Sequence, residues 1–208
     1  RVACMGSDVL EISQNNTPII NIQKGRIDYL NGINENRVRS NRVIPFIERD
    51  DIKNLIFQQH IGYGIKIKDP LMLYIDSYSE LTDQMFTNKQ TKRSFYANYS
   101  DVTHSPEFKK RFDANGLLEL DNLFDQYYLY FSSFRKKYRN VPIVFLHFPV
   151  KLDNREKFKI RYFKIKEAID QIKIMDNLQP FYSFDVDESI VEWPSERLPG
   201  LENFPYHY

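Results

Sequence analysis

Two short, almost purely apolar runs constrain the fold of this chain more than any other feature of its sequence. They are residues 71–75 (LMLYI) and 141–146 (VPIVFL), and polar residues follow each of them at once. A strand that is apolar on both faces is typical of a parallel sheet covered by helices on both sides. We therefore expect both runs to be interior strands of such a sheet.

Helical patterns lie on either side of the second run. Leu, Phe and Tyr recur at steps of three and four residues through 106–139, and Phe, Tyr and Ile do so through 153–175. Such a period predicts helices with one apolar face. A shorter helix is predicted to begin at Asp50 or Asp51, whereas residues 82–106 have no clear period and are predicted to be an elaborated loop over the sheet.

Two further strands complete the predicted sheet. Residues 2–5 (VACM) lead into Gly6, which indicates a first strand and a tight turn, and residues 181–186 (FYSFDV) form a last strand. Strands alternating with long helices favour right-handed crossovers and a parallel sheet. The predicted fold is α/β, with a central, mainly parallel sheet flanked by helices. It occupies residues 1–208 as a single domain.

Composition excludes several classes of function. The net charge of +1 lacks the basic footprint of a nucleic-acid-binding protein, and the basic runs 109–111 and 135–137 lie within helical patterns, where solvated faces are expected. Cys4 is the only cysteine, so neither an internal disulfide nor a cysteine metal cluster can form. No apolar run reaches about 18 residues, so no membrane span is predicted. No signal peptide is visible and no cofactor or metal is indicated, and we expect a cytoplasmic protein.

The predicted topology brings dispersed polar residues to one edge. In open parallel sheets, ligands bind outside the carboxyl ends of the strands. The polar residues that follow the predicted strands are Gly6-Ser7-Asp8, Asp76-Ser77, His147 and Asp185-Val186-Asp187, and the tail after the last strand carries His207. We expect these residues to lie near one another.

The first turn has the features of a nucleophile site. A serine such as Ser7 on a tight strand-to-helix turn is exposed, and backbone N–H groups at the helix start, near Ser7 and Asp8, can stabilise an oxyanion. It needs a histidine base, and His207 lies in a turn-rich tail that can fold over the same edge. Gly6, Asp76, Ser77 and His147 are the further oxyanion or substrate-binding candidates.

This arrangement resembles the SGNH/GDSL hydrolase superfamily, in particular the divergent bacterial SGNH-like proteins of surface-polysaccharide genes. The resemblance rests on strand–Gly6-Ser7-Asp8–helix, the buried strand with an acidic end, the strand ending in His-Phe-Pro at 147–149, and the terminal Pro-Tyr-His-Tyr at 205–208. It implies a flavodoxin-like three-layer sandwich, and ester chemistry on a carbohydrate or other acylated small molecule, as an acetyl esterase or O-acetyltransferase. His207 matches the catalytic histidine of that family, and Asp76 lies near its oxyanion asparagine.

The chain also departs from that pattern. The family has Gly-Asp-Ser, so strict register places Asp8 at the nucleophile position, with Ser7 beside it. Phe204 occupies the place of the acid three residues before the histidine. The other carboxylates available to orient His207 are Asp187, Glu188, Glu192 and Glu202, and the sequence does not choose among them.

Two alternatives remain open at the level of sequence. The reversed Ser-Asp order and the missing acid are compatible with a catalytically inactive SGNH-like module that binds a glycan or a protein partner. Asp185 and Asp187 form an Asp-x-Asp motif after an apolar strand, which is also found in metal-dependent glycosyltransferases.

Overall fold

The structure, a computed structural model, describes residues 23–32, 42–61, 69–151 and 153–187. The helices of these ranges are α1 (Ile27–Asn31), α2 (Asp50–Ile61), α3 (Tyr78–Thr82), α4 (Pro106–Arg111), α5 (Leu123–Lys137) and α6 (Glu156–Lys173). The strands are β1 (Leu73–Asp76), β2 (Asp83–Asn88), β3 (Ser94–Asn98), β4 (Phe112–Gly116), β5 (Ile143–His147) and β6 (Phe181–Asp185). Short 3₁₀ turns lie at Ile44–Phe46, Tyr99–Asp101, Leu120–Asn122 and Asp176–Leu178.

The predicted parallel sheet is confirmed. Its described strands lie in the order β1-β5-β6, and both strand pairs are parallel. Ile75 is opposite Phe145, and His147 is opposite Asp185. The carboxyl ends of β1, β5 and β6 therefore meet at one edge.

Helices α5 and α6 cover one face of this sheet. The Tyr127 ring of α5 packs edge-on against Phe145 at 5.4 Å, and Phe131 packs against Phe181 at 5.0 Å. Ile165 of α6 is fully buried in the same core. The predicted α/β fold with helices packed on a parallel sheet is therefore confirmed.

The prediction of a loop over residues 82–106 is wrong. Strands β2 and β3 form an antiparallel hairpin, and β4 adds to β2 to give a second sheet in the order β3-β2-β4. This sheet has its own core, in which Phe86 stacks on Phe95 at 5.1 Å and contacts Phe108 edge-on at 5.7 Å. The segment lacks a helical period because its buried aromatic residues lie on paired strands.

The prediction of one continuous helix over residues 106–139 is also wrong. The chain forms α4, then β4, and resumes helical structure at Leu120. Phe108 and Phe112 stack at 5.0 Å inside the second core, and Gly116 has a φ of 82°, which a right-handed helix does not allow. The apolar residues of 106–139 thus keep a helical spacing although β4 lies among them, and this spacing led to the wrong prediction.

Gln59 of α2 closes one edge of the second sheet. Its side-chain amide donates to the carbonyl of Tyr96 at 2.5 Å, and its side-chain oxygen accepts from the N–H of Tyr96 at 3.2 Å. Tyr96 lies in β3, which is an outer strand among those described. One amide side chain therefore satisfies both backbone groups of an edge residue, as a further strand would.

Candidate functional site

The predicted site residues fall into two groups. Gly6, Ser7, Asp8 and His207 lie outside the described residues, as do Glu188, Glu192, Glu202 and Phe204. Asp76, Ser77, His147, Asp185 and Asp187 lie within the described ranges, at or just beyond the ends of β1, β5 and β6. The parallel strand order thus brings the second group to a single edge, as predicted.

Ser77 joins the ends of β1 and β5. Its N–H donates to the carbonyl of Leu146 at 3.2 Å, and its Oγ accepts from the N–H of Phe148 at 2.8 Å. The residue is fully buried. Ser77 therefore has a structural role at this edge.

Asp76 shapes the turn that follows β1. It is buried, and its Oδ1 accepts from the N–H of Tyr78 at 3.0 Å. A carboxylate that bonds to the backbone two residues ahead is a common turn device. It starts α3, whose Tyr78 ring packs on Phe148 at 4.7 Å.

His147 points to the interior, on the side of the sheet that α6 covers. Only 1% of the residue is exposed, and its ring lies 5.0 Å from Phe145 and 6.1 Å from Tyr162, measured between centroids. Neither ring nitrogen has a hydrogen-bond partner among the described residues. Burial lowers the pKa of His147 to about 4, although the charge of Asp185 opposes this shift. The imidazole is therefore neutral near pH 7.

Asp185 is held from α6. Its Oδ1 accepts from the Tyr162 hydroxyl at 2.9 Å, and its Oδ2 accepts from Lys166 Nζ at 2.5 Å. Burial alone raises the pKa of Asp185, but the bonds from Lys166 and Tyr162 outweigh it and lower the pKa. A divalent cation at the Asp-x-Asp motif would have to displace the Lys166 ammonium. The described ranges contain no group of three or more His, Cys, Asp or Glu placed to bind a metal.

The stability of the protein should depend on pH through His147. Its folded pKa lies below the ordinary value of 6.5, so as pH falls below 6.5 the unfolded chain gains a proton that the folded chain resists. We expect this group to lower the free energy of unfolding by about 2 kcal/mol between pH 7.5 and pH 5. His147→Phe should remove that part of the pH dependence. Urea unfolding of both proteins at the two pH values measures it, and an equal loss in both would contradict the assignment.

A buried ionic cluster that the sequence did not indicate lies beside this edge. Lys24 Nζ is 2.6 Å from Asp101 Oδ2 and 3.5 Å from Asp83 Oδ1, and all three side chains are buried. Burial alone lowers the pKa of Lys24, but the charges of Asp83 and Asp101 raise it above its ordinary value. The ammonium is therefore charged throughout the neutral range.

Arg26 extends the buried network. Its guanidinium donates to both oxygens of Asp28, at 2.9 and 2.5 Å, and to the carbonyl of Gly116 at 2.9 Å. Its Cζ also lies 5.0 Å from the centre of the Tyr96 ring, as in a cation–π contact. The network thus links the segment before α1 to the second sheet.

Glu80 of α3 and Arg161 of α6 complete the buried network that links the segment before α1 to the second sheet. The Glu80 carboxylate accepts from the N–H of Ile27 at 2.7 Å, and Arg161 donates to the carbonyls of Glu80 at 3.0 Å and Leu118 at 2.7 Å. Both residues are buried. We interpret these charges as structural, because their partners are other charges and backbone groups of the fold.

An open groove lies on the surface of α6. Its lining residues are Phe163, Lys166, Glu167, Asp170, Gln171 and Ile174. Lys166, which holds Asp185, is therefore also a groove residue. The groove and the end of β6 share this one side chain.

No family model, curated protein or solved structure matches this chain. The helices within the described residues include none with the length and apolar character needed to cross a membrane. The function of this chain therefore has to be inferred from its own residues.

Proposed function

We propose that this chain hydrolyses or transfers an acyl group, acetyl in the first instance, on a carbohydrate at the carboxyl edge of its parallel sheet. The observation that carries the proposal is the convergence of β1, β5 and β6, whose ends bring Asp76, Ser77, His147 and Asp185 together. Ligand sites in parallel sheets form at such edges. The resemblance of the first turn and the tail to SGNH hydrolases supplies the chemistry.

Ser77, which the structure places at this edge, is not suited to be the nucleophile. Ser77 is fully buried, and its Oγ is engaged by the N–H of Phe148. A nucleophilic hydroxyl has to be exposed to its substrate and bonded to a base. Ser77 meets neither condition, so Ser7 is the proposed nucleophile.

The same reasoning favours His207 as general base. The ring of His147 is enclosed by the sheet and α6, so a substrate at the open edge does not reach it. His104 stacks on Tyr99 at 3.7 Å, away from the parallel sheet, in the turn after β3. In the proposed reaction, His207 takes the proton of Ser7 as the hydroxyl attacks the acyl carbon. Backbone N–H groups near Ser7 and Asp8 bind the oxyanion, the ester C–O bond breaks, and the departing alcohol takes the proton from His207. The acyl group then passes from Ser7 to water or a sugar hydroxyl, whose proton His207 accepts and returns to Ser7.

Ser7→Ala should reduce acyl-ester hydrolysis by about a thousandfold or more, because removing the nucleophile leaves only binding and oxyanion stabilisation. Release of p-nitrophenol from p-nitrophenyl acetate and of acetate from an acetylated oligosaccharide measure the activity. His207→Asn should cause a loss of similar size. Ser100→Ala and His104→Asn are matched controls on the exposed turn after β3, and both should retain activity.

Two outcomes would overturn the proposal. Full activity in Ser7→Ala would exclude Ser7 as nucleophile. Absence of activity in the unmodified protein, together with equal binding of the acetylated oligosaccharide by the unmodified and Ser7→Ala proteins, would identify a non-catalytic binding module. The reversed Ser7-Asp8 order and Phe204 are the features that such a result would explain.

A further inference from the structure

His147 and Asp185 are neighbours, but no hydrogen bond joins their side chains. They are opposite one another in the register of β5 and β6, so their side chains leave the same face of the sheet from strands about 4.8 Å apart. Yet within the part of the chain that the structure describes, neither nitrogen of His147 is hydrogen-bonded, while Asp185 accepts from Tyr162 and Lys166. A buried polar group without a partner costs about 1–3 kcal/mol, so such an arrangement calls for an explanation.

The charged groups around His147 are balanced between the two protonation states. Asp185 of β6 and Asp170 of α6 favour the imidazolium, whereas Lys166 and Lys173 of α6 disfavour it. The Tyr162 ring lies at 72° to the imidazole and presents its hydroxyl to Asp185 instead. Protonation would give His147 a second N–H donor and a positive charge beside a carboxylate.

We propose that Asp185 is an acceptor shared between two alternative partners, Lys166 with Tyr162 while His147 is neutral, and His147 once it carries a second proton. The proton comes from solvent, and no covalent bond other than the new N–H changes. When Asp185 turns to the imidazolium, the Lys166 ammonium is released. This step does not depend on the function proposed above.

The released Lys166 ammonium has other carboxylates close to it on α6. Lys166 lines the surface groove of α6 together with Glu167 and Asp170. Asp170 is four residues further along the helix, a spacing at which opposite charges pair. Proton uptake beneath the sheet edge thus frees an ammonium that already lines the groove from its pairing with Asp185, which couples the interior end of β5 to the outer surface of α6.

The Hε1 resonance of His147 tests the proposal directly by NMR titration. The chain has four histidines, so His147→Gln assigns the resonance. Lys166→Met should raise the pKa of His147 by at least about one unit, because it frees the carboxylate that the imidazolium needs. Lys173→Met is the matched control: it also removes a cation that disfavours the imidazolium, but no bond joins Lys173 to Asp185 in the described residues.

The difference between the two lysine variants decides the outcome. A clearly larger shift in Lys166→Met supports the shared acceptor, and a smaller rise in Tyr162→Phe would support it further. Equal shifts in the two lysine variants would mean that His147 responds only to charge at a distance, and would overturn the proposal. An unchanged pKa in Asp185→Asn would overturn it as well, and circular dichroism confirms that each variant is folded.

Discussion

Arg135→Met should lower the free energy of unfolding by about 3–5 kcal/mol, because several buried carbonyl acceptors lose a hydrogen bond from one charged donor, at about 1–3 kcal/mol each. Arg135 lies near the end of α5, and only 8% of the residue is exposed. Its guanidinium donates to the carbonyls of Tyr138, Arg139, Val141, Leu178 and Pro180, at 2.7–3.2 Å. One side chain thus joins the end of a helix to the approaches of both β5 and β6.

The reason for the large effect is the number of acceptors that lose their donor together. Carbonyl oxygens at the end of a helix have no partner within the helix, and a cation there also interacts favourably with the helix dipole. Methionine fills similar volume but donates nothing. Arg135→Lys should fall between the two, because an ammonium has three donors and lacks the planar fork of a guanidinium.

Urea unfolding of the three proteins measures these differences. Lys136→Met is the matched control, since Lys136 is the exposed neighbour on the same helix, and its effect should stay within about 0.5 kcal/mol. Equal stability of Arg135→Met and Lys136→Met would show that water replaces the guanidinium without cost.

Lys24→Met should cost about 3–5 kcal/mol as well, for a different physical reason. The substitution leaves the carboxylates of Asp83 and Asp101 buried side by side, without the ammonium that lies within 3.5 Å of both. Buried charges of like sign are costly when nothing compensates them. The lost stability should be that of the buried network between the two sheets, to which Lys24, Asp83 and Asp101 belong.

A surface pair provides the control for Lys24. Lys53 is 2.7 Å from Asp50 on α2, but the Asp50 side chain is 91% exposed, so Lys53→Met should change stability by no more than about 1 kcal/mol. The double variant Lys24→Met, Asp101→Asn should recover part of the loss, because Asp101→Asn removes one of the two buried negative charges that Lys24→Met leaves uncompensated. If the double variant simply added two losses, the two residues would not be energetically coupled.

The strands of the parallel sheet could be predicted from sequence because each is a short, mostly apolar run, although Tyr182 and Phe184 of β6 are exposed. The predicted runs 71–75, 141–146 and 181–186 compare with Leu73–Asp76, Ile143–His147 and Phe181–Asp185. The second sheet could not be predicted in this way. Its strands owe their burial to one another, to α4, which directly precedes β4, and to α2 and the turn before it, which are distant in sequence.

Charged residues were the other source of error. The run 135–137 was predicted to be solvated, and Lys136 and Lys137 are exposed, but Arg135 is buried. Leu178 and Pro180, whose carbonyls accept from Arg135, lie more than 40 positions away in the chain. No local pattern distinguishes an arginine that will meet such acceptors from one that meets water.

At the candidate site, the edge was predictable and the roles of its residues were less so. Parallel order alone places Asp76, Ser77, His147 and Asp185 together. The orientation of His147 did carry a signal, because it is two residues from Phe145 and alternation places both on one face of the strand. The engagement of Ser77 by Phe148 depends on how two strand ends approach, which a single sequence does not specify.

The amide of Gln59 has a consequence for how molecules of this protein meet in solution. An exposed strand edge invites the strand of another molecule, and this is a route to aggregation. At Tyr96 both ladder positions are already occupied by Gln59, so an incoming strand finds neither a donor nor an acceptor there. Since Gln59 belongs to α2, this protection lasts only as long as α2 stays docked. Because Ile52 and Ile56 of α2 also belong to the second core, detachment of that helix would expose the strand edge and part of this core together.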